Sequence, residues 1–390
     1  MLSSQYLAPS SLPQQGQPPR PAKVRLMIGQ LGLGGTEQQV VLLASGLRSH
    51  GIDTQVLVMH EGGPREDALR EADVPVIYLG FRRFVSPLDV PRNIAAFARL
   101  VRLLRRDRPD VLHAFLFHSY VTASPAARIA RVPVLVAGRR SLGYFKSGRP
   151  GYLAVERLAT RVTDLLIANA KAVADDARAQ ERVPAQKITV VYNGLPDGAF
   201  AKHAPANVET LLPVLLCVAN LKTYKGHRDL LQAARHLQAR GRPCTLLLAG
   251  DGDERQSLER QAERLDIDVR FLGACRQIGP LLARADVVVH PSHTEGMSNA
   301  VMEAMAAGRP VVATSVGGTP ELLRDRGMLV PARDPAALAA AVERLLADPE
   351  YAATLGQRAR DWSRSHLRMD HMVDQHIRIY SDLLEPRCAG

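Results

Sequence analysis

Two glutamates, Glu295 and Glu303, stand eight positions apart where the sequence passes from a predicted loop into a predicted helix. Residues 286–291 predict a buried parallel strand, so Glu295 is expected at the carboxyl end of that strand, where open α/β sheets bind ligands. With Ser298 as the helix N-cap, Glu303 lies just inside the helix and shares a face with Asn299. The free N–H groups and the dipole of such a helix start favour a phosphate. A carboxylate beside a phosphate site suits a nucleotide sugar.

Glutamates near a helix start also occur without any ligand, because anions stabilise the first turn. The residues that follow make the ligand interpretation more specific, since 303–314 read EAMAAGRPVVAT and 317–321 read GGTPE. The whole segment resembles the Glu-x-seven-Glu signature of the retaining glycosyltransferases of family 4, and the resemblance covers about residues 23 to 385. It implies the α/β fold called GT-B, in which two doubly wound, Rossmann-like parallel-sheet domains face each other across a cleft.

The resemblance also implies roles for the residues of the signature. Glu303 would hold the ribose hydroxyls of the donor. Glu295 would serve catalysis by orientation and electrostatics rather than as a nucleophile, in a front-face step in which the leaving phosphate oxygen helps to deprotonate the acceptor. The loop residues expected to bind the donor's sugar and phosphate are Gly296, Met297, Ser298 and Asn299.

A second segment, residues 218–227, resembles the family's Gly-Arg-Leu…Lys-Gly segment, in which an arginine and a lysine hold the leaving diphosphate. Lys225 matches the lysine, and a fixed cation there would stabilise the negative charge of the departing nucleoside diphosphate. A surface lysine without a ligand is the alternative. Asn220, expected to contact the donor, stands where arginine is usual. The second positive group must then be the helix start near Ser298 or an arginine from elsewhere.

The first predicted turn, residues 29–37, is rich in glycine and could be taken for a dinucleotide site. Its glycines do not fit Gly-x-Gly-x-x-Gly because Glu37 occupies the third glycine position, so no NAD site is expected. By resemblance, Gly34 and Gly35 belong to a loop near the acceptor and the donor phosphates, where glycine lets the backbone approach an anion. A tight turn with packing glycines is the alternative.

Acceptor-side candidates stand at two predicted strand ends. His113 ends one strand and His118 opens the next helix, and each could face the acceptor or be a structural histidine. The sugar-facing histidine of many family members is absent from the corresponding segment 138–141. Arg139 and Arg140 stand there instead and are expected to bind the acceptor or the donor.

Asp251 and Asp253 imitate an Asp-x-Asp metal motif. They directly follow a predicted strand, in a segment that the family keeps as a plain turn, so a structural role is favoured and no metal or other cofactor is expected. The four cysteines, Cys388 in the tail among them, form no Cys-x-x-Cys pair. They are interpreted as reduced thiols of a cytoplasmic protein.

Positive charge is concentrated in the first half of the chain. Residues 1–205 hold 27 basic and 16 acidic residues, whereas residues 206–390 hold 23 of each. The basic residues cluster between Arg92 and Arg108 and between Arg139 and Arg149, interleaved with apolar residues. Such patches attract nucleic acid or an anionic membrane. Nucleic acid is not expected, because no recognised binding module accompanies the charge, and a solvated surface remains the alternative.

The elements that must position these residues alternate between short apolar runs and amphipathic helices, which predicts two parallel sheets. Helical patterns include 37–49, 94–106 and 369–384. The predicted strands are 24–28, 55–59, 76–79, 111–113, 134–137, 165–168, 189–191, 214–219, 245–249, 269–272, 287–290 and 311–314. The predicted division is a disordered tail at 1–21, an acceptor-side domain at 22–200, a nucleotide-sugar domain at 201–368 and, by resemblance, a terminal segment at 369–390 that crosses back to the first domain. A stretch with little periodicity at 193–213 predicts the hinge.

The sequence therefore predicts a retaining, metal-independent hexosyltransferase that moves a sugar from a UDP- or GDP-sugar to a hydroxyl of a glycan or polyprenyl-linked acceptor in bacterial polysaccharide or glycolipid synthesis. It is expected in the cytoplasm, peripherally on the inner face of the membrane through its basic first domain. One alternative is a non-catalytic sugar-nucleotide-binding or scaffold subunit, suggested by Asn220 and the missing histidine. The other is a GT-B epimerase that acts on a UDP-sugar. The sugar, the linkage and the oligomeric state stay open.

Overall fold

The computed structural model describes residues 20–83, 86, 89–143 and 148–385. Most of the expected disordered tail, the tail thiol Cys388 and residues 144–147 of the second basic cluster lie outside the described residues. The chain forms two α/β domains, each with its own parallel sheet, and the expected fold class is confirmed.

Seven described strands form the sheet of the first domain, in the order β3-β2-β1-β4-β5-β6-β7 with all neighbours parallel. Its strands are β1 (Lys23–Ile28), β2 (Asp53–Val58), β3 (Val76–Tyr78), β4 (Val111–Phe115), β5 (Val134–Arg139), β6 (Leu165–Ala168) and β7 (Ile188–Val190). The order reverses direction between β1 and β4, and such a switch point opens a crevice at the carboxyl ends of the strands.

The second sheet has six described strands in the order β10-β9-β8-β11-β12-β13, again all parallel. Its strands are β8 (Val214–Val218), β9 (Thr245–Ala249), β10 (Val269–Gly273), β11 (Val287–His290), β12 (Val311–Thr314) and β13 (Met328–Val330). Its switch point lies between β8 and β11. The sequence analysis missed β13, because three residues without a flanking apolar run give too short a pattern. The other twelve strands begin and end within two residues of their predicted positions.

Helices cover both faces of each sheet, as short βα crossovers require. In the first domain they are α1 (Gly35–Ser49), α2 (Glu66–Glu71), α3 (Asp89–Asp107), α4 (Phe117–Ala130), α5 (Pro150–Val162) and α6 (Lys171–Glu181). In the second they are α7 (His227–Ala239), α8 (Arg255–Leu265), α9 (Gly279–Arg284), α10 (Asn299–Ala306), α11 (Thr319–Leu323), α12 (Pro335–Ala347) and α13 (Pro349–His366). The last helix is α14 (Met369–Leu384).

Helix α14 packs on α1 of the first domain, although it follows the last helix of the second. The contact is close enough that a Cβ at Gly46 would clash with Val373. Beside it, Leu195 pairs with Arg368 in an isolated bridge between the two connections. The two crossings bring the carboxyl ends of both sheets towards each other, and the candidate residues lie where they meet.

Candidate functional site

Glu295 lies on the loop after β11, at the switch point of the second sheet, as predicted. Its Oε1 accepts hydrogen bonds from Lys225 Nζ at 2.6 Å, from His290 Nε2 at 2.7 Å and from Ser292 Oγ at 2.8 Å. Lys225 follows β8, the neighbouring strand across the switch point. The parallel β8/β11 pairing therefore places a lysine and a glutamate from distant parts of the chain in one ion pair.

The Glu295 carboxylate is held in its charged form. Burial would raise the pKa of Glu295, but the hydrogen bond and charge of His290, followed by the charge and hydrogen bond of Lys225, outweigh it and lower the pKa to about 2. The Glu295 side chain is 10% exposed. A lysine has three N–H donors, so Lys225 can keep this bond and still donate to a phosphate.

Asn220 is exposed just after β8, on the same loop as Lys225. An amide at this position adds no positive charge beside Lys225. The other cation of this loop, Lys222, is exposed.

The N-terminus of α10 follows directly after the Glu295 loop. Ser298 is its N-cap, as predicted, and its Oγ accepts from the Val301 backbone N–H at 3.4 Å. The N–H groups of Asn299 and Ala300 belong to the first turn, so they have no acceptor within the helix. The start of α10 therefore presents free donors beside Glu295.

The Asn299 side chain reaches across to the first domain. Its Nδ2 donates to the Gly35 carbonyl at 3.1 Å and to Gln38 Oε1 at 3.2 Å, while its Oδ1 accepts from Asn193 Nδ2 at 2.8 Å. In the ligand-free protein this amide therefore joins the starts of α10 and α1. Contact of the Asn299 side chain with a donor would require some of these bonds to be exchanged.

Glu303 lies in the second turn of α10 and faces the first domain. Gln38 Nε2 donates to its Oε1 at 3.3 Å. Burial raises the pKa of Glu303 to about 7, and the Gln38 hydrogen bond and the charge of Arg65 offset only part of that effect. Its surroundings therefore favour the protonated form of this carboxyl far more than those of an exposed glutamate do.

Arg65 is the first-domain arginine that faces this end of the site. Its Nη2 lies 3.4 Å from the Leu33 carbonyl oxygen and 3.5 Å from Gln38 Oε1. Its buried Nε has no hydrogen-bond partner among the described residues. Burial lowers its pKa, and the charges of Glu37 and Glu303 raise it in part. A guanidinium with an unused donor therefore stands beside Gln38, which touches both Asn299 and Glu303.

The glycines of both loops lie where the two domains approach each other. A Cβ at Gly296 would clash with the Arg140 carbonyl oxygen, and a Cβ at Gly34 would clash with the Glu37 carboxylate. At Gly35 a Cβ would lie 3.3 Å from Asn299 Nδ2. Glycine therefore permits the close approach of the two domains at Gly296 and Gly35, whereas Gly34 makes room for the Glu37 side chain of its own domain.

Met297 contributes to the site through its backbone. Its side chain is buried in the hydrophobic core. Only its backbone groups can therefore take the donor-facing role expected of this residue.

His113 is corrected to a structural residue. It lies in the middle of β4 because the strand extends to Phe115, so its side chain points to the sheet face that α14 covers. It is fully buried, and its Nδ1 lies 2.7 Å from the Tyr380 hydroxyl. Burial holds the pKa of His113 well below its usual value. It cannot meet an acceptor without unpacking α14.

Arg139 and Arg140 are also buried, which weakens the expectation that they bind a ligand directly. Arg139 Nη2 pairs with Glu181 at 2.6 Å and with Glu156 at 3.0 Å. Arg140 Nη1 donates to Asn193 Oδ1 at 2.8 Å, and the same Asn193 bonds Asn299. Asn193 therefore links Arg140 to Asn299 at the start of α10.

His118 remains at the surface, at the start of α4. It lines a cavity of about 260 Å³ at the carboxyl ends of β4 and β5, together with Phe117, Arg139, Arg140 and Asp176. Burial, and to a smaller degree the charge of His60, lower its pKa. Of the four acceptor-side candidates, His118 is the one whose side chain is exposed.

Four residues of the site were not predicted from the sequence: His290, Ser292, Gln38 and Arg65. His290 is the last residue of a buried strand at the switch point, and the rule that places Glu295 there could also have identified it. Arg65 and Gln38 carry no such signal, because their place beside Glu303 depends on how the two domains meet.

The described residues contain no group of three or more histidine, cysteine, aspartate and glutamate side chains arranged to hold a metal ion. Asp251 accepts the backbone N–H of Gly252, as in a turn. In the same part of the chain, no helix has the length and apolar character needed to cross a bilayer.

Comparison with known proteins identifies the family. Residues 33–197 match the family described as glycosyltransferase family 4, and residues 212–348 match that described as glycosyl transferases group 1. The lipopolysaccharide core biosynthesis glycosyltransferase LpsE of Rhizobium meliloti is 26% identical, over 89% of this chain and 95% of that protein. The glycogen synthase of Mycobacterium tuberculosis is 34% identical, over 70% and 69%.

The fold matches solved structures as well. Anabaena Alr3699/HepE in complex with UDP is 25% identical with a TM-score of 0.79, and the alignment covers 92% of this chain and 99% of that one. WaaG, a glycosyltransferase involved in lipopolysaccharide biosynthesis, has the same fold with a TM-score of 0.73 at 18% identity, over 92% and 99%. Both sheets, the switch-point pair Lys225–Glu295 and these similarities lead to one conclusion: the chain belongs to glycosyltransferase family 4 and has the GT-B fold.

Proposed function

We propose that this glycosyltransferase transfers a sugar, with retention of anomeric configuration and without a metal ion, from a nucleoside diphosphate sugar to a hydroxyl of a glycan or lipid-linked acceptor. The observation that carries the proposal is the Lys225–Glu295–His290 cluster beside the open start of α10. It combines a fixed cation, a fixed carboxylate and free N–H groups at one switch point, which is what a diphosphate and its sugar require.

The donor's diphosphate would lie between the start of α10 and the Gly34–Gly35 turn. Lys225 would neutralise it from one side. Arg65 would do so from the other and supply the positive charge that Asn220 lacks. UDP is the nucleotide named for the solved relative HepE, which makes UDP-sugars the first donors to test here.

The ribose would bind at Glu303, whose carboxylate can accept from two hydroxyls. Glu295 would orient the reacting sugar and stabilise charge on its face. In a front-face transfer, the bond from the anomeric carbon to the leaving phosphate oxygen breaks and the acceptor oxygen bonds to that carbon on the same face. The acceptor proton passes to the leaving phosphate oxygen, so no covalent enzyme intermediate forms.

The acceptor would enter from the first domain. The cavity at His118 opens at the carboxyl ends of β4 and β5. Two similar proteins carry names from lipopolysaccharide synthesis. A role in bacterial polysaccharide or glycolipid assembly, in the cytoplasm at the membrane's inner face, follows as part of the proposal.

Calorimetric titration with UDP-, GDP- and ADP-sugars in the presence of a chelator tests the donor site. One nucleotide family should bind, and Glu303→Ala should weaken it by about a hundredfold or more, the value of a lost pair of hydrogen bonds to a charged group. Glu343→Ala is the matched control, since it removes a glutamate of the same domain that pairs with Arg240 at 2.9 Å on the surface. An unaffected Glu303→Ala variant, or a wild-type protein that binds no nucleotide sugar, would favour the scaffold alternative.

Retention is tested separately. With the donor identified, the anomeric configuration of the new linkage can be read by NMR from the coupling constant of the anomeric proton. An inverted product would contradict the proposed chemistry.

A further inference from the structure

Helix α5 buries a carboxylate and a hydroxyl side chain while several of its apolar side chains face solvent. Its buried positions include Glu156 and Thr160. Its solvent-facing side chains include Val155 at 47%, Leu158 at 63% and Val162 at 37% exposure. A helix on the surface of a soluble domain normally shows the opposite arrangement.

The inner face explains why the helix cannot rotate to hide its apolar side. Glu156 pairs with Arg139 at 3.0 Å, and Thr160 Oγ1 donates to Glu181 Oε2 at 2.7 Å. The Tyr120 hydroxyl donates to the Glu156 carbonyl at 3.2 Å. Turning α5 would break a buried ion pair and its hydrogen bonds, which is strongly unfavourable.

The apolar surface continues beyond these three residues. Tyr152, 37% exposed, stacks on Phe117 with ring centroids 5.1 Å apart. Ile129 on the neighbouring α4 is 47% exposed. A single exposed leucine is ordinary, but a contiguous apolar patch marks an interaction surface.

The charge around this patch points to one kind of partner. Residues 111–163 contain eight basic residues and a single acidic residue, Glu156, which is buried. The exposed arginines of this stretch are Arg131, Arg149, Arg161 and Arg128, the last of which pairs with Asp164 at 2.9 Å. An apolar stripe bordered by arginines fits an anionic lipid surface. A second copy of this chain would bring the same positive charge to the contact, and like charges oppose association.

We propose that the outer face of α5 is the surface by which this protein docks on an anionic lipid membrane. Val155, Leu158 and Val162 enter the headgroup region, and the flanking arginines bind lipid phosphates. The face adjoins the cavity, because Phe117 lines the cavity and stacks on Tyr152. Docking would therefore bring the cavity next to the membrane, where a lipid-linked acceptor lies; this last step rests on the proposed function.

The test is co-sedimentation of the full chain, without substrate, with mixed phosphatidylglycerol–phosphatidylcholine vesicles and with pure phosphatidylcholine vesicles. The wild type should bind the mixed vesicles. The double variant Val155→Ser, Leu158→Ser should lower the partition coefficient by about tenfold or more, since burial of each side chain contributes to binding. Leu211→Ser is the matched control, because Leu211 is a fully exposed leucine of the second domain, and it should bind as the wild type does.

Two more variants separate the contributions of the arginines and of the apolar side chains to membrane binding. Arg149→Gln with Arg161→Gln should lower binding to mixed vesicles by about tenfold and reduce its dependence on salt. Val155→Trp should bind more tightly, and its fluorescence should shift to the blue on mixed vesicles. The natural chain has one tryptophan, Trp362, so the wild type gives the background signal.

Several outcomes would overturn the proposal. They are a wild type that binds neither vesicle, a double variant that binds like the wild type, and an apolar face that proves to hold two copies together. Analytical ultracentrifugation of the wild type and the double variant decides the last point. Donor binding by the same variants, measured by calorimetry, is a separate readout, so failure of the docking surface and failure of the proposed transfer are distinguishable.

Discussion

Glu295 and Glu303 lie in the same short stretch of chain, and their surroundings differ in kind. Glu295 accepts three side-chain hydrogen bonds to one oxygen, two of them from the cationic Lys225 and from His290, and its pKa is lowered to about 2. Glu303 has one amide donor, Gln38, and its pKa is raised to about 7.

The difference indicates whether each carboxyl has its hydrogen-bond partners within the protein or still lacks them. Glu295 already has its partners within the protein, so a ligand meets a rigid, charged group that needs no reorganisation during the reaction. Glu303 accepts fewer hydrogen bonds from protein groups than Glu295 does. Hydroxyl donors from a ligand would therefore stabilise its charged form and lower its pKa. Under the proposed function, Glu295 would be preorganised for chemistry, and the donor would complete the hydrogen bonding of Glu303.

The largest expected effect is that of Glu295→Gln. The substitution removes the negative charge opposite Lys225 and His290 while keeping the shape of the side chain. Turnover should fall by about 10² to 10³ fold, as for other lost electrostatic groups at reacting centres, with a smaller change in the donor's Kd. Product formation measured by chromatography checks this.

Ser292→Ala is the control for Glu295→Gln, because it removes one neutral hydrogen bond to the same oxygen and leaves the charge. Its loss should be about tenfold or less. Equal losses in both variants would show that the number of bonds matters rather than the charge. A covalent glycosyl adduct on Glu295, seen by intact-protein mass spectrometry, would contradict its orienting role.

Next in size is the pH dependence of donor binding set by Glu303. The ligand-free carboxyl releases its proton near pH 7, and ribose hydroxyls need the carboxylate form. Affinity for the donor should therefore rise by about tenfold from pH 6 to pH 8, since one pKa unit corresponds to a factor of ten. In Glu303→Gln the affinity should be low and independent of pH. Calorimetry with an intact nucleotide sugar, whose diphosphate does not titrate in this range, measures both.

The free energy of unfolding, measured without the donor, should change with pH in the opposite direction to donor affinity. The folded-state pKa of Glu303 is above its usual value of 4.5. Its contribution to stability is therefore fully present below pH 4.5 and is lost as the pH rises through 7. Urea unfolding at pH 5 and pH 8 should show a smaller difference in Glu303→Gln than in the wild type. An unchanged difference would show that Glu303 ionises normally.

Much of this architecture follows from the sequence. The strands β6, β9, β11 and β12 and the helix α14 begin and end where their patterns predict, because buried parallel strands are short apolar runs and α14 is a long amphipathic one. The position of Glu295 also follows, since a polar residue just after such a strand is at the ligand-binding edge. His113 was assigned to the wrong place because two more strand residues were not predicted, so it changed from a strand end to a strand interior.

The partners of Glu303 could not be predicted in the same way. Gln38 and Arg65 come from the other domain, and nothing in their local pattern specifies a neighbour more than 200 positions away in the chain. The orientation of α5 could not be predicted either. The periodic pattern of apolar and polar residues along a helix is the same whichever face lies inside. Tertiary contacts such as the buried Arg139–Glu156 pair show which face lies inside.

An effect no larger than the pH dependence is expected for Arg65→Ala, which tests whether Glu303 depends on the first domain. Donor affinity should fall by about tenfold, the value of a hydrogen bond between charged groups. Because Arg65 lowers the pKa of Glu303, the midpoint of the pH dependence should also move upwards. Arg70→Ala removes the same charge from exposed α2, where Arg70 pairs with Asp67 at 3.0 Å.

Comparison of the two arginine variants distinguishes a direct contact with the donor from the long-range electrostatic field of the basic first domain. A long-range effect of the basic first domain would weaken donor binding equally in Arg65→Ala and Arg70→Ala, and added salt would abolish the difference from the wild type. A contact at the donor would appear in Arg65→Ala alone, would persist in salt, and would come with the shifted midpoint of Glu303. That shift is decisive, since only a cation close to Glu303 can change both the donor's affinity and the proton affinity of this carboxyl.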